Sequence, residues 1–285
     1  MNVNQKLKLG LLVNTGFAFL EIAIGFISGS LALISDASHN LTDSLSILIA
    51  YIGKKIAERP ATQEHTFGYG KATILTALIN SCILVAIAGY IFYEAYQRIL
   101  HPQAIQGGLI MLVAGVGVLV NGGIALMFKG NQTDLNLKGV FLNMAFDTIV
   151  SLGAVVAGLI IYLTGKTLAD PLISLAIGAM LVYGSVQIIN QAVHVLLEGV
   201  PEHIKTAEVL AAIQAMPGIK NVHDLHIWSI ASQTPALSCH IVAEHYDLKQ
   251  NVELIKQIKF SLAQKFKVFH VTIEVELEPC APHEH

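Results

Sequence analysis

Residues 31–57 read LALISDASHNLTDSLSILIAYIGKKIA, a run long enough to cross a bilayer but broken near its middle by His39 and Asp43. At roughly 3.6 residues per turn, side chains four apart project from one helical face, so imidazole and carboxylate are presented together. The run 136–164 repeats the spacing with Asn143 and Asp147. Ionisable groups at membrane depth are costly and mark ion or proton pathways. Opposed to each other, the two faces offer four donors to one tetrahedral cation. Two carboxylates balance a divalent charge, and the mixture of imidazole nitrogen with carboxylate and amide oxygen suits a transition metal. Metal and proton compete for such groups, which is the physical basis of an antiport. That cycle needs no nucleotide.

The 285 residues are 54% hydrophobic and 13% charged, with the apolar excess ahead of residue 200. This composition belongs to a polytopic membrane protein. Six runs are long enough to span: about 9–29, 31–57, 72–98, 106–128, 136–164 and 168–194. Six crossings put both termini on one side. Eight cations fall on that side (Lys6, Lys8, Lys54, Lys55, Arg59, Lys71, Lys129 and Lys138), against Arg98 and Lys166 opposite. The positive-inside rule therefore predicts cytoplasmic termini. The polar start, Met1–Leu9, is too brief for a cleaved leader, so the first helix reads as permanent.

Residues 1–200 are expected to form the transmembrane domain and 201–285 a cytoplasmic one. The tail changes period: helix at 207–215, alternating runs at 222–230 and 237–244, helix at about 249–265, and a last alternating run at 269–278. The order αββαβ predicts a ferredoxin-like α+β domain, a three-stranded sheet with two helices on one face.

Other polar groups read as structural. Asn14, Glu21, Asn80, Glu94 and Asn121 lack a partner at ligand spacing, though Asn80 could support a ligand from behind. Asp36, near the outer end of its helix, reads as a group touching water. Small residues such as Gly115, Gly117, Gly122 and Gly123 are expected to let helices approach closely. Gly68-Tyr-Gly70 is no phosphate loop, because it lacks the preceding strand and the required spacing. Cys82, Cys239 and Cys280 show no CxxC spacing, indicate no disulfide framework, and read as small buried hydrophobes. A net charge of −3 without a basic cluster excludes nucleic acid as partner. No HExxH motif occurs, so the chain is expected not to be an enzyme.

Four stretches together resemble the cation diffusion facilitator family, the zinc-transporter type of divalent metal/proton antiporter. They are Ser35-Asp-Ala-Ser-His39-Asn-Leu-Thr-Asp43, Thr66-Phe-Gly-Tyr-Gly-Lys71, Phe141-Leu-Asn143-Met-Ala-Phe-Asp147 and Val222-His-Asp-Leu-His-Ile-Trp228. The resemblance implies a homodimer in the lipid bilayer of a bacterial cytoplasmic membrane. It also implies proton-coupled efflux of divalent transition-metal cations, Zn2+ first, by alternating access. His39, Asp43, Asn143 and Asp147 would be the transport ligands. Regulatory metal would bind in the cytoplasmic domain at His223, His240 and Glu276 or Glu278, with His270 and His226 as neighbouring candidates. His65 matches one ligand of a loop site in which Tyr69 replaces a histidine of some members. Lys71 and Glu198 match a charged interlock between the membrane and cytoplasmic parts. One position departs from the pattern: zinc-selective members usually carry histidine where this chain has Asn143. An amide oxygen is a harder, weaker, non-titrating donor. The swap leaves open a preference for Co2+, Mn2+, Fe2+, Ni2+ or Cd2+, or a metal-sensing protein that does not transport.

Overall fold

The computed structural model describes residues 3–128, 135–231, 234–244 and 247–278; side chains are described there except at 3–8, 43–48, 50, 51, 128, 135–140, 142 and 143. Contacts divide the chain into two units, Met1–Ile49 with Ile79–Ile189, and Ala50–Leu78 with Asn190–His285. The first unit thus takes most of the membrane helices. The second takes one end of three of them, the loop between two, and the tail.

Six long helices run as α1 (Val3–Ser28), α2 (Leu31–Ala57), α3 (Ala72–Leu100), α4 (Gly107–Phe128), α5 (Leu135–Thr164) and α6 (Ala169–Leu196). Segments of five, all but α2, are long and apolar enough to cross a membrane. With 27 residues α2 reaches about 40 Å, and its interruption is the polar sequence around His39. Its hydroxyls are hidden by bonding back one turn: Ser35 to the Leu31 carbonyl, Ser38 to Ile34 and Thr42 to Ser38. Large apolar side chains such as Leu12, Phe26, Leu119 and Leu126 face outward, as lipid contact requires. Gly29, at φ +71°, ends α1 in the left-handed conformation and lets α2 start two residues later, at Leu31.

The core of this unit gathers Phe17, Leu33, Ile110, Val113 and Ile161. The closest helix approach is not at the glycines expected from the sequence. A Cβ on Gly158 would sit 2.7 Å from the Met111 nitrogen, and one on Gly107 2.7 Å from the Tyr162 nitrogen, so α4 and α5 touch backbone to backbone there. Gly117 does pack tightly, against the Phe17 ring, whereas Gly115 and Gly123 meet nothing within 4 Å. Cys82 also departs from expectation, lying exposed on α3.

In the second unit α7 (Thr206–Gln214), β1 (Ile219–Ala231), β2 (Thr234–Ala243), α8 (Leu248–Phe266) and β3 (His270–Glu276) give the expected αββαβ order. The sheet order is β1-β2-β3, with β1 antiparallel and β3 parallel to β2. Parallel pairing requires a crossover, which α8 supplies. Asp247 caps that helix, its carboxylate accepting from the Lys249 nitrogen at 2.7 Å. Leu254, Ile258 and Leu262, spaced by four, bury its inner face with Val209 and Ile213 of α7 against Val222, Leu237, Cys239 and Ile241 of the sheet. Each such burial stabilises by about 1.5–3 kcal/mol. Because strand side chains alternate, His223, His240 and Glu276 are left on the opposite face.

Candidate metal centres

In the membrane unit His39 and Asp147 come together as the sequence predicts. His39 Nε2 lies 3.2 Å from Asp147 Oδ1, with Asp147 wholly buried and His39 nearly so. The separation suits two ligands of one tetrahedral ion: bonds of about 2.0–2.1 Å imply donors roughly 3.3 Å apart. The Phe146 ring stands edge-on to His39 with centroids 6.4 Å apart, walling the imidazole on one side. Asp43 and Asn143 lie on the same helices, but their side chains fall outside the described residues. The second and fifth of six crossings run in opposite senses, so with His39 beside Asp147 the helix backbones set Asn143 at the level of Asp43.

Around this pair runs a web of buried polar groups that sequence spacing did not find. Asp36 does not touch water: it is fully buried, and its Oδ2 accepts from the Ser151 hydroxyl at 2.7 Å. Asn121 donates to Ser151 Oγ at 3.4 Å, and Asn40 donates to Glu21 Oε2 at 3.4 Å. Glu21 and Asn121 are also fully buried. Of these residues Asp36 and Asn40 share the four-residue spacing on α2, while the others come singly from α1, α4 and α5. The available signal was the polarity of each one inside a span.

The second centre lies on the open face of the sheet. Strand register sets His223 directly opposite His240, their ring centroids 5.3 Å apart. Glu276 reaches over from β3: its Oε1 is 3.0 Å from His240 Nδ1 and its Oε2 is 3.2 Å from His223 Nε2. These three residues each bring a donor atom within 4.8 Å of the others, the one such group of three among the described residues. Two imidazoles and a carboxylate, all partly buried, fit a zinc-type ion with positions left for water or a further ligand. A register shift between His223 and His226 marks a bulge in β1, and Asp224 there takes φ 51°. Its carboxylate stands 2.9 Å from His226 Nε2 and 3.5 Å from His240 Nε2. The far nitrogen of His240 is thereby held by an acid, the arrangement that orients metal-bound imidazoles.

Other candidates stand apart from this group. The His270 ring meets Phe67 edge-on at 5.4 Å, and that of His226 is more exposed, beside Asp224. His65 stacks at a tilt on Tyr69, with centroids 4.6 Å apart, outside any group of three donors among the described residues. Glu278 is exposed past the end of β3. Cys239 precedes His240 but points into the core, away from the group, and burial there pushes its thiol up to about 11. Cys280 lies outside the described residues. Lys71 and Glu198 do pair, Nζ to Oε1 at 2.5 Å.

Residues 7–197 match the cation efflux transmembrane domain, and residues 201–278 match the cytoplasmic domain of cation efflux proteins. The chain is 36% identical over 96% of its length to a cadmium, cobalt and zinc/H(+)-K(+) antiporter of Bacillus subtilis, covering 90% of that protein. It is 38% identical over 97% of its length to the metal cation efflux system protein CzcD of Cupriavidus metallidurans, covering 87%. It is 35% identical over 94% of its length to the zinc transporter ZitB of Escherichia coli, covering 86%. Membrane-spanning helices, a buried His-carboxylate pair across two of them and both domain matches together make this chain an integral membrane protein of the cation diffusion facilitator family, whose members are metal cation efflux proteins.

Proposed function

We propose that this protein exports divalent transition-metal cations from the cytoplasm, zinc first, in exchange for protons, and that it carries out transport and not catalysis. The observation that carries this reading is the 3.2 Å approach of His39 Nε2 to Asp147 Oδ1 between two spanning helices. A dehydrated divalent ion gains there a neutral nitrogen and an anionic oxygen in surroundings where water competes poorly. Asp43 adds the second negative charge and Asn143 an amide oxygen. Protons arriving from one side take the same lone pairs and release the metal, which couples the two flows in opposite directions. The excess of lysine and arginine on the terminal side supports cytoplasmic termini and a bacterial cytoplasmic membrane as the location.

Asn143 bears on selectivity. Exchanging imidazole for an amide weakens the preference for zinc and widens acceptance toward other divalent transition metals. The cytoplasmic group His223, His240 and Glu276 binds a regulatory ion of the same class. In the homodimer that binding favours one arrangement of the paired domains and so shifts the conformational population. His65 and His270 have no ligand role in this reading.

Flux into proteoliposomes tests the proposal. Zinc is expected to move against its gradient when a proton gradient is imposed, with cobalt and cadmium following, and Asp147→Ala is expected to stop all three. Zinc binding without any proton-driven movement would leave a sensor and reject the exporter.

A further inference from the structure

Helix α2 faces α6 in two different ways along its length. Further along both helices a cavity of about 630 Å³ lies among His39, Leu84, Val150, Ile177, Leu181 and Ser185. At the opposite end the same two helices are tied together. Asp170, in the first turn of α6, accepts from Ser30 Oγ at 2.5 Å, from the Leu31 nitrogen at 2.8 Å and from the Ala32 nitrogen at 3.1 Å. The carboxylate of one helix thus caps the start of another, 140 residues away in sequence from Ser30, where the backbone donors and helix dipole favour negative charge.

Arg98, at the end of α3, completes the knot. Its Nη1 lies 3.7 Å from Asp170 Oδ2 and also donates to the Gly29 carbonyl at the end of α1, while its Nε donates to Glu94 at 3.1 Å. Ser30 and Asp170 are wholly buried and Arg98 nearly so. Four helix ends therefore meet at one sealed polar junction, and this seal and the cavity lie at opposite ends of one interface.

We propose that the Asp170–Ser30–Arg98 knot is the gate at the end of the bundle remote from the chain termini. It is closed in this structure, and its parting admits the far side to the metal pair. The inference rests on the export reading above. Physics permits two states because every group in the knot is one that water also satisfies: a carboxylate, a guanidinium, a hydroxyl and first-turn backbone donors. A buried ion pair exchanges protein partners for water at little net gain or loss, so the closed and hydrated forms lie close in free energy. Breaking the knot while it stays dry would be prohibitive, so opening and wetting go together. The left-handed turn at Gly29 is where α2 is free to change direction.

Paired spin labels test the gate. Ile27→Cys and Leu168→Cys carry them at exposed positions beside the knot but outside it, with Cys82, Cys239 and Cys280 replaced by alanine. In proteoliposomes at rest one short distance is expected. Under zinc with an opposing proton gradient a second, longer population appears. Asp170→Asn, which keeps an acceptor oxygen but loses the charge, is expected to raise that population several-fold even at rest. If Asp170→Asn does not fold, Ser30→Ala is expected to act in the same direction to a smaller extent. A single unchanged distance while zinc flux continues overturns the gate. Absence of zinc flux from the unsubstituted protein rejects the export reading, and the gate is then judged by distances alone: no change on Asp170→Asn or Ser30→Ala rejects it too.

Discussion

Glu198 accepts from Lys71 at 2.5 Å although 127 residues separate them in the chain. The pair joins the segment following α6 to the start of α3, and Glu198 is held at φ 60° to make it. A non-glycine residue in that conformation is strained, so the turn and the ion pair are built at one position.

Glu198→Gln keeps the turn and removes the charge. Because Glu198 is 56% exposed and Lys71 31%, the pair should contribute no more than about 1 kcal/mol at low salt. Thermal unfolding of the purified protein should show a small loss at low ionic strength that vanishes near 1 M salt, where the screening length is about 3 Å. A large salt-independent loss would mean the contact acts through packing.

Asp147→Asn removes one of the two charges that balance the ion while keeping the side chain's size. Zinc affinity at the membrane pair should fall by at least about 100-fold, a transfer of roughly 2.7 kcal/mol, and flux should stop. The cytoplasmic group should bind as before, which calorimetric titration resolves as a surviving class of sites.

Asn143→His tests the unusual donor directly. Imidazole should tighten zinc binding and narrow the range of metals moved, read by competition of cobalt and cadmium against zinc in the flux assay. Unchanged zinc affinity counts against Asn143 as a ligand.

Glu276→Gln should abolish tight metal binding by the cytoplasmic group, since one carboxylate serves both His223 and His240. Flux through the membrane pair should continue, with its dependence on cytoplasmic zinc flattened. Loss of metal-induced protection from hydrogen exchange in β1 to β3 is the accompanying signature.

Cys239 gives a pH prediction. Its thiol ionises near 11 in the folded domain against 9.0 in an exposed chain, because burial opposes the thiolate. The unfolded chain therefore gives up that proton first, so the thiol leaves stability unaffected below about pH 9 and lowers it as pH rises from 9 toward 11, by up to roughly 2–3 kcal/mol. Comparing denaturation of the protein and of Cys239→Ala over that range isolates the effect. Iodoacetamide should label this thiol at pH 8 only after unfolding.

What the sequence made legible was whatever depends on local spacing. The i, i+4 pairs singled out α2 and α5, whose His39 and Asp147 do come together, and alternation in the tail put His240 and Glu276 on a common sheet face. Six spans followed from apolar run length alone, although the polar centre of α2 lowers its own hydropathy. What stayed hidden depends on partners far apart in the chain. Asp170 carries no periodic signal, because its donors sit some 140 residues away. Asp36 looked interfacial from its position in the helix, yet Ser151 on α5 covers it. The helix contact at Gly107 and Gly158 could not be told from other small residues until the register of α4 on α5 was known. His270 and His226 satisfied the same alternation as His223, His240 and Glu276, and only strand register and the bulge at Asp224 separated them from that group.

Among the three clustered donors on the sheet, Glu276 is delivered by β3, the last strand in chain order. During synthesis His223 and His240 emerge and can pair as a hairpin well before their carboxylate exists. Nascent protein therefore lacks the third donor until α8 has crossed over and the final strand has docked. A product cut short between 244 and 269 would keep both imidazoles without the carboxylate that reaches them both.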